Sequence, residues 1–237
     1  MAEKSSIFDM IGPVMIGPSS SHTAGVVKIG SIAYKLLGRV PQKAKITFYN
    51  SFARTYEGHG SDKAIIAGLM GFNTDDERMR NAFELAEKKG FEYAFRPVGN
   101  ASIYHPNTVK LDLEADGEKL SLMGVSKGGG VIGILEVDGF SGHFGGNLHT
   151  LIIRAEDRKG SISFISSVLS NEDCNIANMS VSRKGKSELA CQFIEMDSDV
   201  RPITLEYLRS LPWIARVDYI APFADSDDSN MVAPDGE

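Results

Sequence analysis

The run His149-Thr150-Leu151-Ile152-Ile153-Arg154-Ala155 leads into the polar turn Asp157-Arg158-Lys159-Gly160, and then into Ile162, Ile165, Val168 and Leu169. A short stretch rich in Leu and Ile reads as a strand, and the apolar spacing after Gly160 reads as a helix. Continuing outward, Asn175 to Ser182 alternates loosely through Ile176, Asn178, Met179 and Val181, as a half-buried strand does. Arg183-Lys184-Gly185-Lys186 is polar with a central glycine, a hairpin signal, and Leu189 to Met196 is the returning strand. Pro202 opens a helix through Leu205 and Leu208, because proline suits a first helical turn. Trp213 to Ile220 is a final strand. The order β-α-β-β-α-β is the ferredoxin-like plan.

Upstream, glycines gather between Gly124 and Gly146 and culminate in Asp138-Gly139-Phe140-Ser141-Gly142-His143-Phe144-Gly145-Gly146-Asn147. A glycine-rich stretch between two patterned regions places a domain boundary near residue 147. The expected division is 1–147, 148–221 and a tail, 222–237, whose Asp, Ser and Pro content reads as disordered. The first part is mixed α/β, so the whole chain is α+β. Helices are expected over Ala24–Gly38, Ser61–Gly71 and Asp75–Lys89, the last capped by Asp75. Strands are expected over Ala44–Asn50, Tyr93–Arg96, Thr108–Glu114, Glu118–Ser126 and Val131–Val137.

Composition excludes some classes. With 42% hydrophobic and 24% charged residues, the 237-residue chain is an ordinary globular one. A net charge of -6 gives no basic footprint for nucleic acid. No apolar run approaches the roughly 18 residues of a membrane span. Met1 to Ser6 lacks a secretory plan, and Gly12 and Pro13 break the apolar patch at Ile11–Ile16, so a cytoplasmic location is expected. Two cysteines, Cys174 and Cys191, are too few to hold an iron–sulfur cluster and match no zinc or thioredoxin spacing.

Three segments carry chemistry. Gly17-Pro18-Ser19-Ser20-Ser21-His22-Thr23-Ala24-Gly25 puts hydroxyls and an imidazole before a helix. Helix starts present unpaired N–H groups and partial positive charge to a carboxylate or phosphate. The plain alternative is a Ser/Thr cap with an incidental histidine. Arg54-Thr55-Tyr56-Glu57-Gly58-His59-Gly60-Ser61-Asp62-Lys63 sets a titratable ring between two glycines before another helix, as a site or as a solvated turn. In Tyr104-His105-Pro106-Asn107-Thr108, Pro106 forces His105 extended, and Asn107 either orients a carboxylate or caps a turn. Ser126-Lys127-Gly128-Gly129-Gly130 lacks the spacing of a phosphate loop and reads as a tight turn. His143, in the glycine stretch, and His149, at a strand start, receive no catalytic role.

Together GPSSSHTAG (Gly17–Gly25), EGHGSDKAIIAGLMG (Glu57–Gly71) and HPNTVKL (His105–Leu111) resemble the beta chain of the two-chain iron–sulfur serine dehydratases. The strand and helix around Asp157-Arg158-Lys159-Gly160-Ser161-Ile162 resemble an ACT domain. Lys127 departs from the pattern, standing where relatives are expected to carry an apolar residue. The resemblance implies conversion of L-serine to pyruvate and ammonia without pyridoxal phosphate. It implies a [4Fe–4S] cluster, bound by cysteines of a separate alpha subunit, whose open iron acts as Lewis acid on the serine hydroxyl while a base takes the α-proton. Carried over by position, Ser19, Ser20, Ser21 and Thr23 would bind the substrate carboxylate or line its pocket, and His105 and Asn107 would complete it. His22 and His59 are the candidates for proton transfer or for polar contacts beside the cluster, with the base itself in either histidine or in the partner. In the second domain Asp157, Gly160 and Asn178 are where a regulatory amino acid would bind, or the domain merely self-associates edge to edge. Such N-terminal domains also resemble the allosteric substrate-binding domains of some phosphoglycerate dehydrogenases. That leaves a purely regulatory, amino-acid-binding subunit as the alternative to an enzyme subunit.

Overall fold

The computed structural model describes residues 15–101, 103–185 and 188–223. The N-terminal residues used above for location, Lys186 of the hairpin and the tail from 224 lie outside them.

The first sheet has six strands: β1 (Lys43–Tyr49), β2 (Glu92–Val98), β3 (Thr108–Ala115), β4 (Glu118–Gly128), β5 (Val131–Val137) and β6 (Phe140–Phe144). They run in the order β2-β1-β3-β4-β5-β6, with β1 and β2 parallel and every other pair antiparallel. A parallel pair needs a long crossover, and this one carries α2 (Asn50–Thr55), α3 (Ser61–Leu69) and α4 (Ala82–Lys88). Ahead of β1 runs α1 (Gly25–Leu37), ended by Gly38 in the left-handed conformation. The stripe Val26, Ile29, Ala33 and Leu36 is buried. Glycines let the layers close: a Cβ on Gly124 would come within 2.9 Å of Ile29 on α1.

Four expectations change here. The stretch taken as a glycine-rich boundary contains β6. Asp138-Gly139, at φ 50° and 79°, forms a two-residue turn, and Phe140 and Phe144 point into the core. Helix α2 is short and begins beside Asn50, held at φ 52°, which the sequence pattern did not register. The single helix over Asp75–Lys89 is a 3₁₀ turn (Glu77–Asn81) followed by α4. The cap is Asp76, whose carboxylate accepts from Arg78 N at 2.9 Å, and not Asp75. Finally, Ile162 is 47% exposed while Ile165 and Leu169 are buried, so it is off the packed stripe.

The second sheet comprises β7 (His149–Glu156), β8 (Ile176–Arg183), β9 (Leu189–Met196) and β10 (Ile214–Ile220), in the order β10-β7-β9-β8 and antiparallel throughout. With α5 (Ser161–Asn171) and α6 (Pro202–Ser210) this is the expected ferredoxin-like βαββαβ fold. Leu151, Ile153 and Ile194 form a core with Ile165, Leu169, Leu205 and Leu208 of the helices.

The other face of this sheet packs largely against the first sheet. Ile152, Cys191, Phe193 and Ile220 belong to the core of the first sheet. Gly142 of β6 lies directly under the Phe193 ring, where a side chain would collide. Largely buried charges stitch the seam: Arg154 pairs with Asp138 at 2.5 Å, and Arg216 Nη2 donates to the Leu36 carbonyl at 2.6 Å. Phe223, which composition assigns to the tail, is held by Phe223 N donating to Gly146 O at 3.0 Å, with Lys35 Nζ 4.7 Å from its ring. Among the described residues no helix is long and apolar enough to cross a membrane.

Candidate functional site

The serine–histidine segment forms a five-residue π-helical turn, Ser20–Ala24, running directly into α1. Such turns are rare and widen the backbone. Ser19 is the extended cap, and its Oγ accepts from His22 N at 3.3 Å. Ser21 Oγ lies 3.0 Å and Ser19 Oγ 3.4 Å from His22 Nδ1, so two hydroxyls attend one ring nitrogen. Thr23 is buried, and its Oγ1 donates to the His59 carbonyl at 3.5 Å. Ser61 Oγ, at the start of α3, donates to the His22 carbonyl at 2.7 Å. Two motifs far apart in sequence are thereby tied at two points.

Ring contacts complete the tie. His22 lies edge-on to His59 at 4.7 Å and to Phe52 at 5.0 Å, measured between centroids. Burial first, and then the charge on His59, hold the His22 imidazole below its usual pKa of 6.5. His22 Nε2 is buried without a hydrogen-bond partner among the described residues. His59, by contrast, is exposed, on the turn between α2 and α3.

The third motif meets the others through α2. The Pro106 carbonyl accepts from Ser51 N at 2.9 Å and from Phe52 N at 3.3 Å, satisfying the first turn of that helix. His105 Nδ1 accepts from Asn107 N at 3.1 Å, and the Asn107 carbonyl accepts from Ser126 N at 3.0 Å. Burial and then the Lys127 charge hold His105 below the usual imidazole range. Phe52 thus touches His22 with its ring and the HPN loop with its backbone. Of the residues expected at the site, Ser19, Ser21, His22, Thr23 and His59 are joined by direct contacts. Ser20 lies in the same turn, and His105 and Asn107 stand across α2.

Three further residues belong here. Lys63 and Arg80 line a cavity of about 160 Å³ with Gly17, Pro18, Thr23, His59 and Gly60, bringing two cations beside the exposed histidine. Lys63 is four residues beyond His59, a spacing the sequence displays; nothing local points to Arg80. Ser126 is fully buried against Gly25, and its hydroxyl has no partner among the described residues.

In the second domain the three expected regulatory residues separate. Gly160, at φ 84°, opens α5, and Asp157 accepts from Arg183 Nη1 at 3.1 Å. Asn178 pairs in register with Glu195, whereas Arg183 pairs with Ala190. The two are five steps of strand apart, about 16 Å. Asn178 Nδ2 instead donates to Glu195 Oε2 at 3.1 Å and to the His143 carbonyl at 3.4 Å, on the seam with β6. It is a structural tie, and only Asp157 and Gly160 share the turn.

The cysteines do not fit cluster ligation. Cys174 lies in the helix-covered core of the second domain and Cys191 in the core shared with the first sheet. Burial pushes the Cys191 thiol up to about 12, so it stays protonated.

The chain thus sets hydroxyls, imidazoles and cations around a widened helix start, groups of the kind that pair with small anions. Comparison with known proteins gives the family. Residues 6–92 match the family model "Serine dehydratase beta chain". The probable L-serine dehydratase, beta chain, of Bacillus subtilis (strain 168) is 45% identical over 216 residues, 91% of this chain and 98% of that one. The L-serine dehydratase, beta chain, of Peptoniphilus asaccharolyticus is 35% identical over 206 residues, 86% of this chain and 91% of that one. The chain belongs to the serine dehydratase beta-chain family. The solved ACT domain of the GTP pyrophosphokinase of Chlorobium tepidum aligns with 31% of this chain and 96% of its own, at 21% identity and a TM-score of 0.26.

Proposed function

We propose that this chain is the beta subunit of an L-serine dehydratase, acting with a separate alpha subunit to convert L-serine to pyruvate and ammonia. The observation that carries the reading is the convergence of all three sequence motifs on α2, in a chain so similar to named dehydratase beta chains. The [4Fe–4S] cluster of this reading belongs to the alpha subunit, since neither cysteine here can serve it. What this chain's own residues do is separate from it. The hydroxyls of Ser19, Ser20 and Ser21, with the N–H groups of the turn, hold the substrate carboxylate. Lys63 and Arg80 supply positive charge in the neighbouring cavity that Thr23 and His59 line. His59 is the base that takes the α-proton: it is the exposed ring, on a turn between two helices, with its backbone fixed by Thr23. His22 stays neutral and sets the position of His59 by ring contact. His105 and Asn107 close the pocket on the far side of α2.

Anaerobic co-expression with the alpha subunit, followed by a pyruvate assay on L-serine, tests the proposal. Activity with both chains and with neither alone is expected. Full activity from the alpha subunit alone would contradict it and leave this chain a regulatory role.

A further inference from the structure

Ser61 opens α3 and is fully buried, and its hydroxyl serves another part of the chain. A serine at a helix start ordinarily caps that helix, its oxygen accepting from an N–H of the first turn. Here those N–H groups are satisfied elsewhere. Ser61 N donates to the Tyr56 carbonyl at 2.8 Å, Lys63 N to Asp62 Oδ1 at 2.8 Å and Ala64 N to the Gly60 carbonyl at 3.0 Å. The Ser61 hydroxyl instead donates to the His22 carbonyl at 2.7 Å, across 39 positions of sequence. The opposite tie has the same form. Thr23, 2% exposed, donates from Oγ1 to the His59 carbonyl at 3.5 Å. Gly17 packs on Thr23 so closely that a Cβ there would come within 2.5 Å of Thr23 Cγ2. Each histidine is thus gripped at its carbonyl by a buried hydroxyl from the motif of the other. His59 has few other restraints: Gly58 and Gly60 flank it, and Gly60 takes a left-handed φ of 70°.

From this geometry we infer that Ser61 is a positioning residue of the site, closing with Thr23 a reciprocal clasp that fixes the His59 ring against that of His22. The inference rests on the dehydratase reading above and adds a residue to it. The two rings lie 4.7 Å apart between centroids with their planes at 64°. Both hydroxyls act on carbonyls, so neither tie uses a ring nitrogen. A general base works only within hydrogen-bond reach of the proton it takes. A displacement of about 1 Å at a reacting group costs about 10²-fold in rate. A ring on an exposed turn between two glycines keeps its place only when something outside the turn holds it, and the clasp supplies that hold.

Two readouts test it. On the full-length chain alone, the imidazole NMR signals are followed with pH. In the wild type, His59→Gln is expected to raise the His22 midpoint toward 6.5, since the His59 charge is one of the two causes that hold it down. In Ser61→Ala the same replacement is expected to move it less, because the rings have parted. Ser61→Thr, which keeps the hydroxyl, is expected to retain the wild-type response. In the two-chain complex, Ser61→Ala is expected to lower kcat at saturating L-serine by about tenfold or more with KM little changed, and Ser61→Thr to restore most of it. Thr23→Val, close in shape but without the hydroxyl, carries the same NMR comparison if Ser61→Ala does not fold. An undiminished effect of His59→Gln in either background would overturn the clasp. Parted rings with wild-type turnover would overturn the positioning role. An inactive wild-type complex would overturn the dehydratase reading and the positioning role with it, while the NMR comparison still decides the clasp.

Discussion

Gly25 shows how much of this site is decided by single atoms. It begins α1, where alanine would ordinarily be favoured by about 0.5–1 kcal/mol. A Cβ there would collide with Ser126 Oγ and come within 2.9 Å of Ser126 Cβ. Overpacking costs about 1–3 kcal/mol, so the collision outweighs the propensity. Gly25→Ala is expected to destabilise the chain, and Ser126→Gly, which removes both opposing atoms, to reverse the sign. Urea unfolding of both single variants and the double measures this; simple additivity would show that the two residues do not meet as described. His22 makes a separate prediction. Its folded-state pKa lies below the usual 6.5, so the unfolded chain binds the proton more readily. The stability His22 contributes is therefore present above pH 6.5 and lost as pH falls through its lowered value. Relative to His22→Gln, wild-type stability should decline between pH 7 and pH 5 in urea titrations; parallel profiles would contradict it.

At the scale of elements, α1 and α3 are held together by two glycines. A Cβ on Gly68 would collide with the Val27 carbonyl and reach 3.0 Å from the Gly30 Cα, all of it backbone that cannot rotate away. Gly68→Ala must push the helices apart, and with them the turn of His22 and the Ser61 that holds it. The expected cost is at least the upper end of about 1–3 kcal/mol, with each kcal/mol lowering the melting temperature by about 2–4 °C in a chain of this size. Calorimetry showing a shift below about 1 °C would contradict the close approach. Elements with strong periodicity were also the legible ones. The alternation and turn chemistry from His149 to Ile220 predict every strand and helix of the second domain. Strand β6 escaped because its glycines resemble a linker. Gly142 is there because Phe193, some fifty positions later, needs the space, and no local pattern reports that. Helix α2 escaped because its first N–H groups are satisfied by Pro106, from another part of the chain, and not by a cap of its own.

Over the whole molecule, the two sheets share a core, and α1 spans between them. Its first residues continue the serine–histidine turn, and about 20 Å away its last carbonyls meet Arg216 of β10. The motifs themselves were readable in sequence, because hydroxyls and histidines gathered next to helix starts stand out from the surrounding pattern. Their division of labour was not. Only tertiary packing separates His22, enclosed and neutral, from His59, exposed, and only packing brings Arg80 and Ser126 to the site. The same packing commits Asn178, on the strand facing the Asp157–Gly160 turn, to the seam with the first sheet. The role proposed for this chain is to supply a group that takes part in the reaction. Its most direct test is the turnover of the reconstituted two-chain complex carrying His59→Ala, measured at saturating L-serine with assembly verified. A loss of about 10²–10⁴-fold, the range for removing a general base, is the predicted result. Turnover near wild type, with only the apparent affinity for L-serine changed, would contradict it and make this chain a regulatory subunit.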